Sequence, residues 1–520
     1  MAALLGIVLG VLLTLVSGKV FERRSFDGDY NRWRKLNLIL QEVQKHYVDT
    51  IDMEGMTDAA VSAALAELDP HSVYLPPVEL EESEIELSGN FEGIGITFNV
   101  PNDTAVVLNP LTGGPSEKAG LLQGDRIVKV GDKVVAGVKM PQDSMIRLMK
   151  GPKGTKVKIT VNRDGTLIPF EIIRDKIPVN SVDAAFMIDD VTGYIKLSKF
   201  TRTTFSEFKE ATSRLMSQGM KKLIFDLRDN TGGYFDQALL LSNEFLHRGE
   251  GIVYMEGMHR PRQDYDADGR GTLKDVRISV LINEGTASSS EIFSGAIQDN
   301  DRGVIVGRRS FGKGLVQEPI NFTDGSGIRL TVARFHTPSG RCIQKPYDGD
   351  YDYDIYERYM SGEMTSADSM KVDTTAVFYT MRGRRVYGGG GITPDIFVPI
   401  DTTKATNFYI QCNRKATQMR FAQSMFDKYR STLAQIDDFD RLDLWLDQID
   451  IAGQFVGYAE RVDGIKLEKG EWEESSPYML PQLKALVGRF SKLGDEAFYR
   501  FYIPIDDTIQ SALKNKSTVL

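Results

Sequence analysis

Three consecutive serines, Ser288, Ser289 and Ser290, stand in the segment GTASSSE (Gly285 to Glu291). There an apolar run, VRISVLIN (Val276 to Asn283), gives way to a helical pattern from Ser289 to Gln298. A serine works as a nucleophile when it is exposed at such a junction, with a base in reach and donors aimed at the oxyanion. Small neighbours let a substrate backbone approach, and a helix N-terminus adds free N–H groups and partial positive charge. Each of the three serines fits that description, and each would equally serve as a helix cap.

The base is the next question. The five histidines, His46, His71, His247, His259 and His336, match no Ser-His-Asp order, and there is no GxSxG elbow. A lysine can replace histidine when burial keeps its amine neutral. Lys313 in SFGKG is the candidate, since it follows the apolar run Gly303 to Gly307 and lies between glycines.

The same lysine invites two other readings. GRRSFGKG (Gly307 to Gly314) nearly matches a phosphate-binding loop, but Gly314 stands where the magnesium-binding hydroxyl belongs. The following LVQEPINF reads as strand where that loop needs a helix. Ser310 and Lys313 also fit S-x-x-K, yet glycine-flanked SFGKG makes a poor helix for that arrangement. A third motif, Asp264, Asp266, Asp268, Gly269 and Asp275, has calcium-loop spacing, but it follows a strand-like run and reads as an acidic surface turn.

Composition narrows the classes. The chain has 520 residues, long enough for several domains. A net charge of −9 argues against a nucleic-acid surface. Cys342 and Cys412 are too few for a disulfide framework or a cysteine-rich zinc site, and either one bridge or two buried thiols is open. Ala2 to Val16 is apolar apart from Thr14 and is followed by Lys19, Arg23 and Arg24. A run this short suits a signal peptide or N-terminal anchor over residues 1–18, so an exported, periplasmic or cell-envelope protein is expected. The basic residues that usually precede such a run are missing, which leaves its orientation open.

The elements that must carry the serines and the lysine alternate. Residues 178–402 run strand, helix, strand, with YIKLSKF, KKLIFDLR, VRISVLIN and GVIVG as strands and Phe205–Ser217, Phe235–Leu246 and Ser289–Gln298 as helices. This is an α/β core. The tract 346–385, rich in Asp, Tyr and Gly, is an insertion. Residues 28–90 are an N-terminal helical region, with the Ala/Leu-rich helix ending at Asp69-Pro70. Residues 403–520 form a C-terminal helical domain.

Residues 91–177 are short β-like runs separated by Gly-Gly, Gly-Asp and Asp-Gly turns. Gly93-Ile94-Gly95-Ile96, followed by GPSEKAGLLQGDRIVKVGD (Gly114 to Asp132), resembles a PDZ domain. The glycine-flanked turn leaves N–H groups for a peptide's terminal carboxylate, and the strand from Ile96 to Val100 can accept that peptide as an added strand.

YIKLSKF, IFDLRDNTGG, GTASSSEIFSGAIQDNDRGVIVGRRSFGKGLVQ, FHTPSGR and GGGITPD occur in that order after the PDZ-like module, and LDPHSVYL precedes it. Together they resemble the C-terminal processing (tail-specific) peptidases, over about residues 30–400. The resemblance implies a multidomain α/β protein with a ClpP/crotonase-like peptidase core. It implies Ser288 as nucleophile and Lys313, 25 residues on, as base. Gln317 matches the residue that orients the lysine in many members, and Asp299 in the QD pair matches the alternative acid in others. The oxyanion hole would be the backbone N–H of Gly232 or Gly233 with that of Ser289. No metal or organic cofactor is expected. The expected partners are protein substrates with free C-termini, besides an adaptor lipoprotein or self-association through the C-terminal helices. The competing class is a catalytically silent PDZ scaffold.

Overall fold

A computed structural model describes residues 34–100, 103–111, 113–347, 351, 353–371, 373–401 and 406–515. The expected signal or anchor segment lies outside these residues. Among the described residues no helix is long and apolar enough to cross a membrane.

The peptidase core is built on a six-stranded sheet. Its order is Val182–Met187, Thr192–Leu197, Lys222–Asp226, Arg277–Ile282, Val304–Gly307 and Ile396–Phe397. The first pair is antiparallel and the rest are parallel. Strands covered on both faces read as continuous apolar runs, which is why these segments stand out in the sequence. On one face pack the helices Thr204–Ser217, Phe235–Asn243 and Ser289–Asp299, around Phe208, Phe225, Phe245 and Phe293. On the other face Phe186, Tyr194, Ile224 and Val306 meet Ile503, Ile509 and Ala512 of the C-terminal helices.

A second sheet stands beside the first. The long strand Gly327–His336 is its centre, pairing with Val73–Leu75, Gly251–Gly257 and Leu315–Asn321. The N-terminal region is therefore not purely helical. Between helices Met53–Ala66 and Pro77–Ser88 it lends a three-residue strand to the peptidase. The acidic motif at Asp264 lies on strand Arg260–Asp266, where Asp264 pairs with Arg262 at 2.6 Å. Among the described residues no cluster of His, Cys, Asp or Glu could hold a metal ion.

The PDZ-like module has its own sheet, in the order Ile96–Asn99, Ala105–Pro110, Arg126–Val130, Lys156–Arg163 and Thr166–Ile173. Ile94, Val107, Ile127, Met145 and Ile159 form its core. Two strands, Asn90–Gly93 and Asp175–Pro178, pair as its neck. The C-terminal helices touch this module through polar contacts, Arg126 to Asp427 at 3.0 Å and Asn99 to Gln423 at 3.4 Å. They hold the peptidase sheet by Arg228 to Asp506 at 2.7 Å. Cys342 and Cys412 are both free thiols.

Candidate active site

Ser288 sits at the N-cap of the helix Ser289–Asp299, with φ 56° and ψ −117°. That backbone region is sparsely populated for any residue with a Cβ, and such strain collects at functional sites. The three serines differ in what surrounds them. Ser289 and Ser290 are buried, with their hydroxyls donating to the carbonyls of Gly233 at 2.9 Å and Asn230 at 3.0 Å. Ser288 alone of the three is partly exposed.

The turn after strand Lys222–Asp226 packs against this junction. Gly232, at φ 99°, is so close that a Cβ there would lie 2.8 Å from Ser288 Cβ and 2.9 Å from Ser289 N. Gly233, at φ 142°, is pinned against Phe200, whose carbonyl oxygen a Cβ would meet at 2.0 Å. Glycine is required at both positions for contact as well as for φ. The N–H of Gly232 donates to Asn230 Oδ1 at 2.9 Å. The N–H groups of Gly233 and Ser289 have no acceptor among the described residues, so these two are the donors left for an oxyanion. Below the turn, Asp226 is buried against Arg228 and accepts from Tyr194. Burial pushes its pKa up, but the charges of Arg228 and Lys196 outweigh that and hold the carboxylate well below its usual range.

Lys313 lies where loop 308–314 enters strand Leu315–Asn321. Its Nζ donates to Gln317 Oε1 at 2.9 Å, the one hydrogen bond of that amine among the described residues. Gln317 in turn donates to the carbonyl of His71. Burial, helped by the nearby charge of Arg329, lowers the Lys313 pKa from its ordinary value, while Glu291 and Asp69 pull it the other way. A lysine in this state is closer to a neutral base than a surface lysine is.

Glu291 joins the serine segment to the lysine segment. Its Oε2 accepts from the backbone N–H of Ser288 at 2.8 Å and of Lys313 at 2.9 Å. Its Oε1 accepts from Gly312 N at 2.7 Å and Ser310 Oγ at 2.5 Å. Burial raises its pKa to about 7 against these four donors. In the sequence Glu291 is only the residue that closes the segment GTASSSE. A glutamate at the third helical position is a helix-cap signature, so nothing in the local pattern marked it as buried.

Asp299 stands elsewhere. It ends the same helix that Ser288 begins, about 16 Å away at 1.5 Å per residue. Its carboxylate is taken by Arg341 at 2.7 Å, in an ion pair with both side chains fully buried, and by the N–H of Ser339 at 3.1 Å. Gln317, not Asp299, meets Lys313. Ser310, the alternative nucleophile of S-x-x-K, is fully buried and donates to Glu291.

On the PDZ-like module, Gly93 pairs with Asp175 in the neck. The Ile94 carbonyl accepts from Ser116 N and Oγ, and the Gly95 carbonyl accepts from Leu111 N. Gly95 takes φ 71° to make this bend. Ile96 then opens the strand Ile96–Asn99, which lies at the sheet edge with one neighbour, Ala105–Pro110.

Comparison with known proteins agrees with this architecture. The profile of peptidase family S41 matches residues 191–355, and that of the PDZ domain matches residues 93–173. A carboxy-terminal-processing protease of Bartonella bacilliformis is 35% identical over 350 residues, covering 65% of this chain and 79% of that protein. The chain belongs to the carboxy-terminal processing proteases of peptidase family S41. The carboxy-terminal processing protease CtpA of Bacillus subtilis is 33% identical, covering 66% of this chain and 73% of that one. Among solved structures, the photosystem II D1 C-terminal processing protease is 27% identical, covering 70% of this chain and 86% of that chain, with a TM-score of 0.38. This processing protease is thus a serine-type peptidase, mixed α/β, with a PDZ domain and a helical C-terminal region. The silent-scaffold class gives way to an enzyme.

Proposed function

We propose that this processing protease cleaves polypeptides by a Ser288–Lys313 acyl-enzyme mechanism, with Gln317 orienting the base. The observations that carry it are the relay from Lys313 Nζ to Gln317 to the His71 carbonyl, and a strained, partly exposed Ser288 whose backbone N–H shares the Glu291 carboxylate with that of Lys313. Neutral Lys313 takes the proton of Ser288 Oγ as that oxygen attacks the scissile carbonyl. The oxyanion is received by the N–H groups of Gly233 and Ser289. Lys313 returns the proton to the leaving amine, and the acyl-enzyme forms. It then takes a proton from the attacking water, and Ser288 is restored. Gln317 aims the lysine's lone pair and closes off its rotamers. No step needs a metal or an organic cofactor.

The PDZ domain supplies substrate choice. Its edge strand Ile96–Asn99 is open to a peptide strand, and the Gly93-to-Ile96 turn leads into that strand, where a terminal carboxylate would be received. Substrates are therefore chains with a free C-terminus, and the activity is an endopeptidase. The apolar run Ala2 to Val16 supports export to the cell envelope.

The test is cleavage of a disordered peptide with a free or an amidated C-terminus. The free form is expected to be cut with a KM at least about tenfold lower, the amide losing the charge-assisted hydrogen bonds of the carboxylate. Equal KM values would rule out C-terminal recognition.

A further inference from the structure

The 346–385 excursion has no part in the mechanism so far, yet its described residues pack against the loop that carries the base. Arg358, on its helix Asp354–Met360, is buried. Its guanidinium donates to the Ser310 carbonyl at 2.8 Å and the Phe311 carbonyl at 3.1 Å, and pairs with Asp354 at 2.9 Å. Arg309 of the same loop pairs with Glu363 at 2.6 Å. Lys345 leads into the excursion. Its backbone N–H donates to the Gly312 carbonyl at 2.9 Å, and its ammonium lies 4.1 Å from the Phe311 ring and 3.9 Å from the Tyr351 ring. Tyr351 meets Phe311 edge-on and shares a 2.8 Å hydrogen bond with His71 Nε2. The carbonyl of that same His71 accepts from Gln317.

Resting on the Ser-Lys reading above, we propose that this excursion is a positioning element for the base: Tyr351 holds the Lys313 relay through His71 and Gln317, while Arg358 holds the loop carbonyls that precede it. Two observations carry it independently. One is a polar chain from Tyr351 to Lys313 that crosses three segments far apart in sequence. The other is a buried arginine spent on the carbonyls of two loop residues rather than on solvent. A buried cation is costly unless its donors are used, so this geometry is maintained against a penalty. An excursion serving only as surface decoration would have no reason to bury one there.

The charged and titratable groups facing Lys313 are Glu291 from the helix, Asp69 from the loop before Val73–Leu75, and Arg329 from strand Gly327–His336. His71 adds a titratable ring on the same loop as Asp69, and the excursion adds Tyr351, Asp354 and Arg358 behind them. Loosening Gln317 admits water to the lysine amine. Its pKa then rises toward the ordinary lysine value, and the acid limb of kcat/KM moves to higher pH.

The experiment measures kcat, KM and the pH profile of kcat/KM for wild type, Tyr351→Phe, His71→Phe, their double variant, Arg358→Met and Tyr356→Phe. Tyr356 is exposed on the same helix and is the control. Tyr351→Phe removes one hydroxyl and keeps the ring packing. It is expected to lower kcat about three- to tenfold with KM unchanged, and to move the acid limb upward. Arg358→Met is expected to move the limb the same way by more. His71→Phe should match Tyr351→Phe, and the double variant should cost no more than the larger single change. Tyr356→Phe should match wild type. A lower Tm with an unmoved limb in both Tyr351→Phe and Arg358→Met would overturn the proposal, as would an unchanged kcat in Tyr351→Phe. Ser288→Ala separates the two levels. If that variant still cleaves, the Ser-Lys reading fails; if it is inactive while the limbs of Tyr351→Phe and Arg358→Met stay at the wild-type position, only the positioning role fails.

Discussion

Lys313→Ala is expected to lower kcat/KM by about a thousandfold or more while leaving the protein folded and its PDZ domain able to bind peptide. The lysine reaches the site by a loop and makes one side-chain hydrogen bond, to Gln317, so its loss leaves little behind that needs repacking. What it removes is the acceptor of the serine proton. Lys313→Arg should be no better than alanine. A guanidinium stays charged at any working pH and cannot accept that proton. The wild-type profile carries the same information. Burial and the charge of Arg329 hold the Lys313 pKa below that of an ordinary lysine, and only the neutral amine is a base. Activity therefore rises with pH through that lowered pKa and falls as the amine is protonated. Steady-state cleavage of a disordered peptide across pH checks both points. Substantial cleavage by Lys313→Ala would assign the base elsewhere.

Glu291→Gln should cost nearly as much, by a different route. All four partners of this carboxylate are donors: the N–H groups of Ser288, Gly312 and Lys313 and the hydroxyl of Ser310. A carboxylate accepts all of them. An amide of the same shape turns an NH2 toward donors, leaving at least one buried N–H unpaired at about 1–3 kcal/mol. The two segments it ties carry the nucleophile and the base, and misplacing them by about 1 Å can cost a hundredfold. We expect kcat to fall about 10²- to 10³-fold with a lower Tm. The pH profile adds a second signature. Burial raises this acid's pKa to about 7, so in wild type its proton returns near neutrality and the tie weakens below that. The glutamine variant cannot titrate, so any part of the acid limb that belongs to Glu291 should vanish from its profile. A variant with wild-type kcat would show that the tie does not matter.

How much of this was legible beforehand depends on whether a residue's role is local. Ser288 and Lys313 were marked by small or glycine neighbours at strand ends, a pattern that survives in the sequence. Their spacing, matched to a family, chose between three serines that local chemistry could not separate. Burial separates them in the structure, because Ser289 and Ser290 spend their hydroxyls on carbonyls. Asp299 matches, by resemblance, an alternative orienting acid. Its partner, Arg341, is 42 residues away and draws it into the core, a pairing no periodicity reveals. The same limit hid His71, Tyr351 and Arg358, which come from the N-terminal region and the excursion and meet only on the folded loop. The strand Val73–Leu75 was missed because three residues are too few to show alternation, and its place is fixed by pairing with Gly327–Arg329.

The most direct test of the central claim compares cleavage by Ser288→Ala, Ser289→Ala and Ser290→Ala, each with thermal unfolding and PDZ peptide binding recorded. Ser288→Ala is expected to abolish cleavage with its Tm and peptide binding near wild type. Ser289→Ala and Ser290→Ala are expected to lose stability, each giving up a buried hydrogen bond, yet to keep measurable turnover. Retained cleavage by Ser288→Ala, or its loss only in one of the other two, would contradict the account.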